Sequence, residues 1–191
     1  MIERAITEKD TNSSFYRHNE GLAKSWEEFV SQHGGSIEGM VNGFILQAEV
    51  NQKYKGKKIR IHLLRQLSNK TAHHSTGFLM TKNTVVEIES LKTQEKNWTL
   101  IRKNKILKLI YNLTKHCEMF SIDNRFMVVS KYRINESGIF DLKYWKNLSS
   151  VADIRQINYS GGNIKIEFFN FLGPESAETV INEIMEKYSA S

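Results

Sequence analysis

The sequence predicts an α+β fold, and three observations carry the prediction. Large apolar residues recur at helical spacing near both ends of the chain. They alternate with polar residues through the middle, the period of a half-buried strand. Tight-turn signals join the alternating runs into hairpin-linked groups, so regular β-α-β succession and a doubly wound parallel sheet are not expected. At 191 residues, 40% apolar and 25% charged, the chain has the size and composition of a folded domain. Residues 1–13 read as a polar lead-in and 14–191 as one domain, with room for a sub-division near 92–118.

A helix is expected at about 14–33. Phe15, Leu22, Trp26, Phe29 and Val30 are spaced for one face, Ser13 or Ser14 can cap, and Gly34-Gly35 stops it. Phe44, Leu46, Ala48 and Val50 then alternate with Ile45, Gln47, Glu49 and Asn51. Tyr54-Lys55-Gly56-Lys57 turns the chain into Ile59, Ile61 and Leu63, which alternate with Lys58, Arg60 and His62. Two more strands at 76–81 and 84–91, joined at Lys82-Asn83, complete a four-stranded antiparallel meander. Residues 104–117 change period: Ile106, Leu109, Ile110, Leu113 and Cys117 form an amphipathic middle helix. A strand follows at 125–131 and a short helix at about 140–151. A second hairpin, 154–159 with 163–169, turns at Ser160-Gly161-Gly162. The C-terminal packing helix opens at Pro174, with Glu175 and Glu178 near its positive end. Its stripe is Ala177, Val180, Ile181, Ile184, Met185 and Tyr188. The core is expected to include Leu22, Trp26, Phe29, Val180, Ile181 and Ile184.

Several functional classes lose their support in the residues themselves. The longest uncharged stretch, Thr71–Thr81, is about half the length that spans a bilayer. The first ten residues carry acids and no apolar run, unlike a secretory signal. Cys117 is the only cysteine and lies on an apolar stripe, which suits an inert core thiol rather than a nucleophile. A cytoplasmic setting is therefore expected, with the inner membrane face as an option. The Lys, Asn and Ile abundance with one Pro suggests an AT-rich, bacterial genome. His73-His74 lacks the further donors of a metal site and reads as a polar turn. His116-Cys117 are neighbours, about 100° apart on a helix, and do not make a dyad. Asp123 reads as the cap of a turn before the strand at Phe126. No phosphate-loop, nucleophile-elbow or zinc-protease pattern occurs, so no catalytic residue, metal ligand or cofactor is expected.

One feature stands above background. Residues 53–115 hold 15 Lys and Arg against Glu87, Glu89 and Glu95, a net +12, while the flanking segments carry −4 and −2. Such a field attracts nucleic acid, anionic lipid or an acidic protein. The plainer reading pairs the basic middle with the acidic ends. Two clusters are the candidate polyanion contacts: Lys53, Lys55, Lys57, Lys58 and Arg60 at the hairpin, and Arg102, Lys103, Lys105 and Lys108 at the middle helix.

Trp26 before a Gly-rich link, the segment Gly56-Lys57-Lys58-Ile59-Arg60-Ile61, and Met119-Phe120-Ser121-Ile122-Asp123-Asn124-Arg125-Phe126-Met127-Val128 occur in that order. Over about residues 20–170 this resembles a group of uncharacterised bacterial proteins with a Phe-Asp-x-x-Phe-x-Val segment after a β-meander. Many of those chains carry predicted membrane helices ahead of the region, and here Ile122 precedes Asp123. The resemblance implies architecture and no residue role. The leading expectation is a non-enzymatic binding or scaffolding module with a protein partner. The alternative is an electrostatic binder of anionic lipid or nucleic acid through 53–115. A third reading is a hydrolase with a dispersed site.

Overall fold

The computed structural model describes residues 1–4, 11–72, 75–89, 91, 97–103, 118–121, 123–132, 148 and 152–189. Ten strands form one mixed sheet: β1 (Ile2–Arg4), β2 (Ser36–Val41), β3 (Ile45–Tyr54), β4 (Lys57–Ala72), β5 (Ser75–Ile88), β6 (Trp98–Arg102), β7 (Glu118–Ser121), β8 (Phe126–Ser130), β9 (Ile154–Ser160) and β10 (Asn163–Phe168). Two helices accompany them among the described residues, α1 (Ser14–His33) and α2 (Pro174–Ser189). The spatial order is β1-β2-β3-β4-β5-β10-β9-β6-β8-β7. Among the described strand pairs only β1–β2 is parallel. The fold is α+β, as the period changes predicted; the expected middle helix at 104–117, with Lys105, Lys108 and Cys117, lies outside the described residues, as do His73-His74 and most of 140–151.

Both helices follow from their sequences. Ser13 accepts a hydrogen bond from the Tyr16 amide, and Gly34 leaves α1 at φ 78°. Trp26, Ala23, Phe29 and Val30 of α1 and Ala177, Val180, Ile181 and Ile184 of α2 are buried in one cluster with Leu46, Val50, Ile61, Val86, Ile157 and Ile166 of the sheet. A helical layer therefore covers one sheet face. Leu22, expected in the core, is only partly buried. Phe44, expected on the buried face of the first hairpin, is 57% exposed.

The strands correct the sequence reading in three places. The segment read as two strands with a turn at Lys82-Asn83 is the single strand β5, paired continuously with β4 from Ala72↔Ser75 to Ile59↔Ile88. The four-stranded meander exists, but β2 is its first member, formed from residues read as a glycine-rich link. Gly39 makes β2 possible: a Cβ there would stand 2.1 Å from the Gln47 carbonyl oxygen. Ile2–Arg4, read as part of a polar lead-in, is a strand. Ile2 is buried, and Arg4 bonds Glu20 at 3.0 Å and Glu27 at 2.6 Å on α1. Those carboxylates hold the Arg4 guanidinium protonated more firmly than usual.

β6 runs between β9 and β8, so its two faces diverge. Trp98 and Leu100 enter the main core, while Ile101 joins Met127, Val129 and the partly buried Met119 in a small second cluster. Asp123 closes the turn into β8. Its Oδ1 accepts from the Arg125 amide at 2.6 Å and the Phe126 amide at 2.8 Å. Burial pushes its carboxyl up, but these amides and the charges of Arg125 and Lys103 outweigh it and hold it below its ordinary value of 3.8. A depressed carboxyl contributes stability above its unfolded pKa and loses it as pH falls through the lower folded value. Asp123→Ala should therefore cost about 1–3 kcal/mol near neutrality and little below the folded pKa. Denaturant melts across the acid range check it; a loss that persists at the lowest pH would mean that packing, not the carboxylate, is responsible.

One polar pair sits in the core. Arg65 of β4 is 6% exposed and donates to Oδ1 of the fully buried Asn19 of α1. Its guanidinium lies over the Phe15 ring, 4.4 Å from the centroid. Burial lowers the Arg65 pKa.

Candidate functional site

The two predicted basic clusters have different fates. Arg102, expected at the entrance of the 104–117 helix, ends β6, and that helix lies outside the described residues. It is ion-paired with Asp153, donates from Nε to the Ile154 carbonyl at 3.0 Å, and faces the Phe169 ring at 5.0 Å. Lys103 donates to Ser121 Oγ at 2.5 Å. Both are engaged in holding β6 to its surroundings. They also stand four strand positions from β4, roughly 19 Å across the sheet, so the structure does not join them to the hairpin cluster.

The hairpin cluster is compact. β3 and β4 close through the two-residue turn Lys55-Gly56, with Tyr54 paired to Lys57. Lys55 at φ 48° and Gly56 at φ 75° give the twist that a two-residue hairpin needs. Asn, Asp or Gly adopts the first position with little strain, whereas a lysine there is strained. Its ammonium lies over the Tyr54 ring, 5.3 Å from the centroid. One residue back, Lys53 stands directly opposite Lys58. Like charges in that position repel. Among the described residues no acid pairs with Lys53, Lys55 or Lys58.

Arg60 differs from its lysine neighbours. Its guanidinium lies 3.5 Å from Glu49, 3.4 Å from Glu87 and 3.8 Å from Glu89. His62 and Lys165 extend this network on the sheet face opposite α1 and α2, reaching Glu49 at 3.2 Å and Glu87 at 3.2 Å respectively. Such half-exposed pairs each contribute little stability, but they leave Arg60 electrically satisfied. Here the expected self-pairing of acids and bases takes place, with partners from within the strands as well as from the acidic N-terminal segment.

Between the lysine pair and the end of α1 lies a cavity of about 490 Å³, lined by His33, Gly34, Gly35, Asn51, Gln52, Lys53, Lys58, Arg60 and Glu89 among others. Gly35 shapes it. At φ 120° its backbone passes so close to β3 that a Cβ would stand 2.4 Å from the Asn51 carbonyl oxygen. Gln52 is 8% exposed, and its Oε1 has no hydrogen-bond partner. Sequence reasoning missed His33, Asn51, Gln52 and Glu89, because the cavity joins a helix end to the ends of strands that are distant in sequence. The only local signal was Gly34-Gly35, which read as a helix stop. A larger trough, about 870 Å³, is lined by Glu3, Glu38 and Glu49 among others, a poor setting for anions.

Among the described residues no group of three or more His, Cys, Asp or Glu is placed to hold a metal ion. Among the described residues no helix is long and apolar enough to cross a membrane. No family model, curated protein or solved structure matches the chain.

Proposed function

We propose that this protein is a non-enzymatic, cytoplasmic binding module that takes anionic partners at the Lys53–Lys58 corner. The observation that supports this reading most is the composition of the turn. A lysine occupies a position where Asn would be relaxed, beside two lysines that face each other across the strands. Backbone strain and like-charge repulsion both oppose folding, and they concentrate where a surface has another task. Four cations, Lys53, Lys55, Lys57 and Lys58, cluster at one hairpin, and among the described residues Lys53, Lys55 and Lys58 are not held by a carboxylate in the way Arg60 is.

The test is retention on heparin and on duplex DNA as generic polyanions. With four charge contacts the affinity for DNA should fall about 100-fold between roughly 50 and 200 mM salt. Changing Lys53, Lys55, Lys57 and Lys58 together to Glu should abolish binding without loss of fold. Lys55→Asn alone should weaken retention yet raise stability by about 0.5–1 kcal/mol, because it relieves the positive φ. If the unaltered protein passes through heparin at low salt, the reading fails. If Lys55→Asn destabilises the protein, the strain argument fails with it.

A further inference from the structure

The edge of a sheet is a row of unpaired backbone N–H and C=O groups, ready to pair with another chain. The outermost strands here, β1 and β7, are three and four residues long, and short edges recruit little. The longest bare edge lies inside the strand order. β3 accompanies β4 only as far as Ile45↔Gln66, and β10 accompanies β5 only as far as Phe168↔Thr84. Beyond those pairs β4 and β5 run on as a two-stranded ribbon, from Leu67↔Met80 to Ala72↔Ser75, roughly 20 Å long. Ser75–Asn83 therefore has β4 on one side and, among the described residues, no strand on the other.

A ribbon of two strands is marginal in water. Bare edges are commonly guarded by lysine or proline, and residues 75–81 contain neither. At the root of the ribbon three apolar residues stand in a row across the strands. Phe44 accepts at its carbonyl from the Leu67 amide at 2.7 Å, and Leu67 is the cross-strand partner of Met80, which is 39% exposed. The bare edge of β4 is shorter, and Lys70 lies in it, a charge that discourages strand addition.

The residues of the β5 edge say which partner fits. Phe78, Leu79 and Met80 are flanked by Ser75-Thr76-Gly77 on one side and Thr81-Lys82-Asn83 on the other, a pattern alike from either end. Antiparallel pairing of two copies about Leu79 sets Leu79 against Leu79 and Met80 against Phe78. It also sets Lys82 against Thr76 and Asn83 against Ser75, so apolar meets apolar and no lysine faces a lysine. A nucleic acid fits this edge poorly, because Lys82 is the one cation in Ser75–Asn83. We infer that the protein forms a homodimer in which the Ser75–Asn83 edge of β5 pairs antiparallel with the same edge of a second copy. The interface is isologous and closes at two chains, and it turns two marginal ribbons into one four-stranded sheet.

Sedimentation of the full chain under reducing conditions, which keep Cys117 from linking two copies, tests this. At about 100 µM the mass should be twice the 22.2 kDa of one chain and should fall on dilution, because one strand pair is a small interface. Leu79→Lys and Leu79→Glu each set like charges against one another at the two-fold axis, and each alone should sediment as a monomer. Mixed in equal amounts the two variants should form a dimer again, a recovery that unfolded variants would not give. A monomer at every concentration overturns the inference and leaves the edge to a different protein. A dimer that survives Leu79→Lys, or a mixture that stays monomeric, overturns it as well.

Discussion

Trp26→Ala should lower the stability of the protein by about 3–5 kcal/mol. The indole is 0% exposed and stands edge-on to Phe29, with centroids 5.6 Å apart. Its Nε1 donates to the carbonyl of Leu172, 3.3 Å away, in the segment that leads into α2. Truncation therefore leaves a large void between helix and sheet and also deprives a buried carbonyl of its donor. Domains of this size have roughly 5–15 kcal/mol in hand, so the variant should be partly unfolded at moderate temperature. Trp26→Phe keeps most of the apolar area and loses the hydrogen bond, and should fall between the two. Urea melts followed by circular dichroism measure the series. A shift under about 1 kcal/mol for the alanine variant would place the ring outside the energetic core.

The second large effect is expected at the buried polar pair. Asn19→Leu should cost about 3–5 kcal/mol, although leucine is the more hydrophobic residue, because it strands the Arg65 guanidinium in the core without its oxygen partner. Among the described residues no carboxylate pairs with Arg65; the Phe15 ring lies beside it and His18 is near enough to feel its charge. Adding Arg65→Met to that variant should recover the loss and can exceed the parent by about 1–4 kcal/mol, since the charge no longer has to be desolvated. The two single variants and the double variant form a thermodynamic cycle. Additive effects would show that Asn19 and Arg65 do not depend on each other.

What could be read in the sequence was whatever is fixed by near neighbours along the chain. α1, α2 and the turns at Lys55-Gly56 and Gly161-Gly162 depend on local spacing, caps and positive φ, and the structure has them where the residues put them. β2 escaped notice because Gly39, needed for the close approach to Gln47, looks like a linker residue in isolation. The Lys82-Asn83 pair resembles a turn, yet β4 offers partners on both sides of it, Arg65 for Lys82 and Leu64 for Asn83, and pairing overrides the local preference. Of the site, the hairpin position of the four lysines was legible, whereas the strand β6 that ends at Arg102 was not. The cavity was invisible, since Gly35, Gln52, Lys58 and Glu89 meet only after three strands are in register.

The strand order has a consequence for how the chain is made. β5 is complete at Ile88, but its next neighbour in the sheet, β10, ends at Phe168. A nascent chain must therefore carry the bare backbone edge of β5, centred on Val85-Val86-Glu87, while the ribosome adds the 80 residues between. At ordinary rates of synthesis that takes about 4–16 s, far longer than a hairpin needs to form. During that interval the meander β2–β5 can assemble from contiguous sequence, whereas β6 and β8 can find each other but not the rest of the sheet. The late hairpin β9–β10 is what joins the two halves, pairing with β5 on one side and β6 on the other. Until it arrives, an unpaired apolar edge is a template for any other extended chain, including a neighbouring copy on the same message. Growth conditions that slow translation over residues 89–168 should divert more of this protein into aggregates, while the same slowing before residue 36 should not.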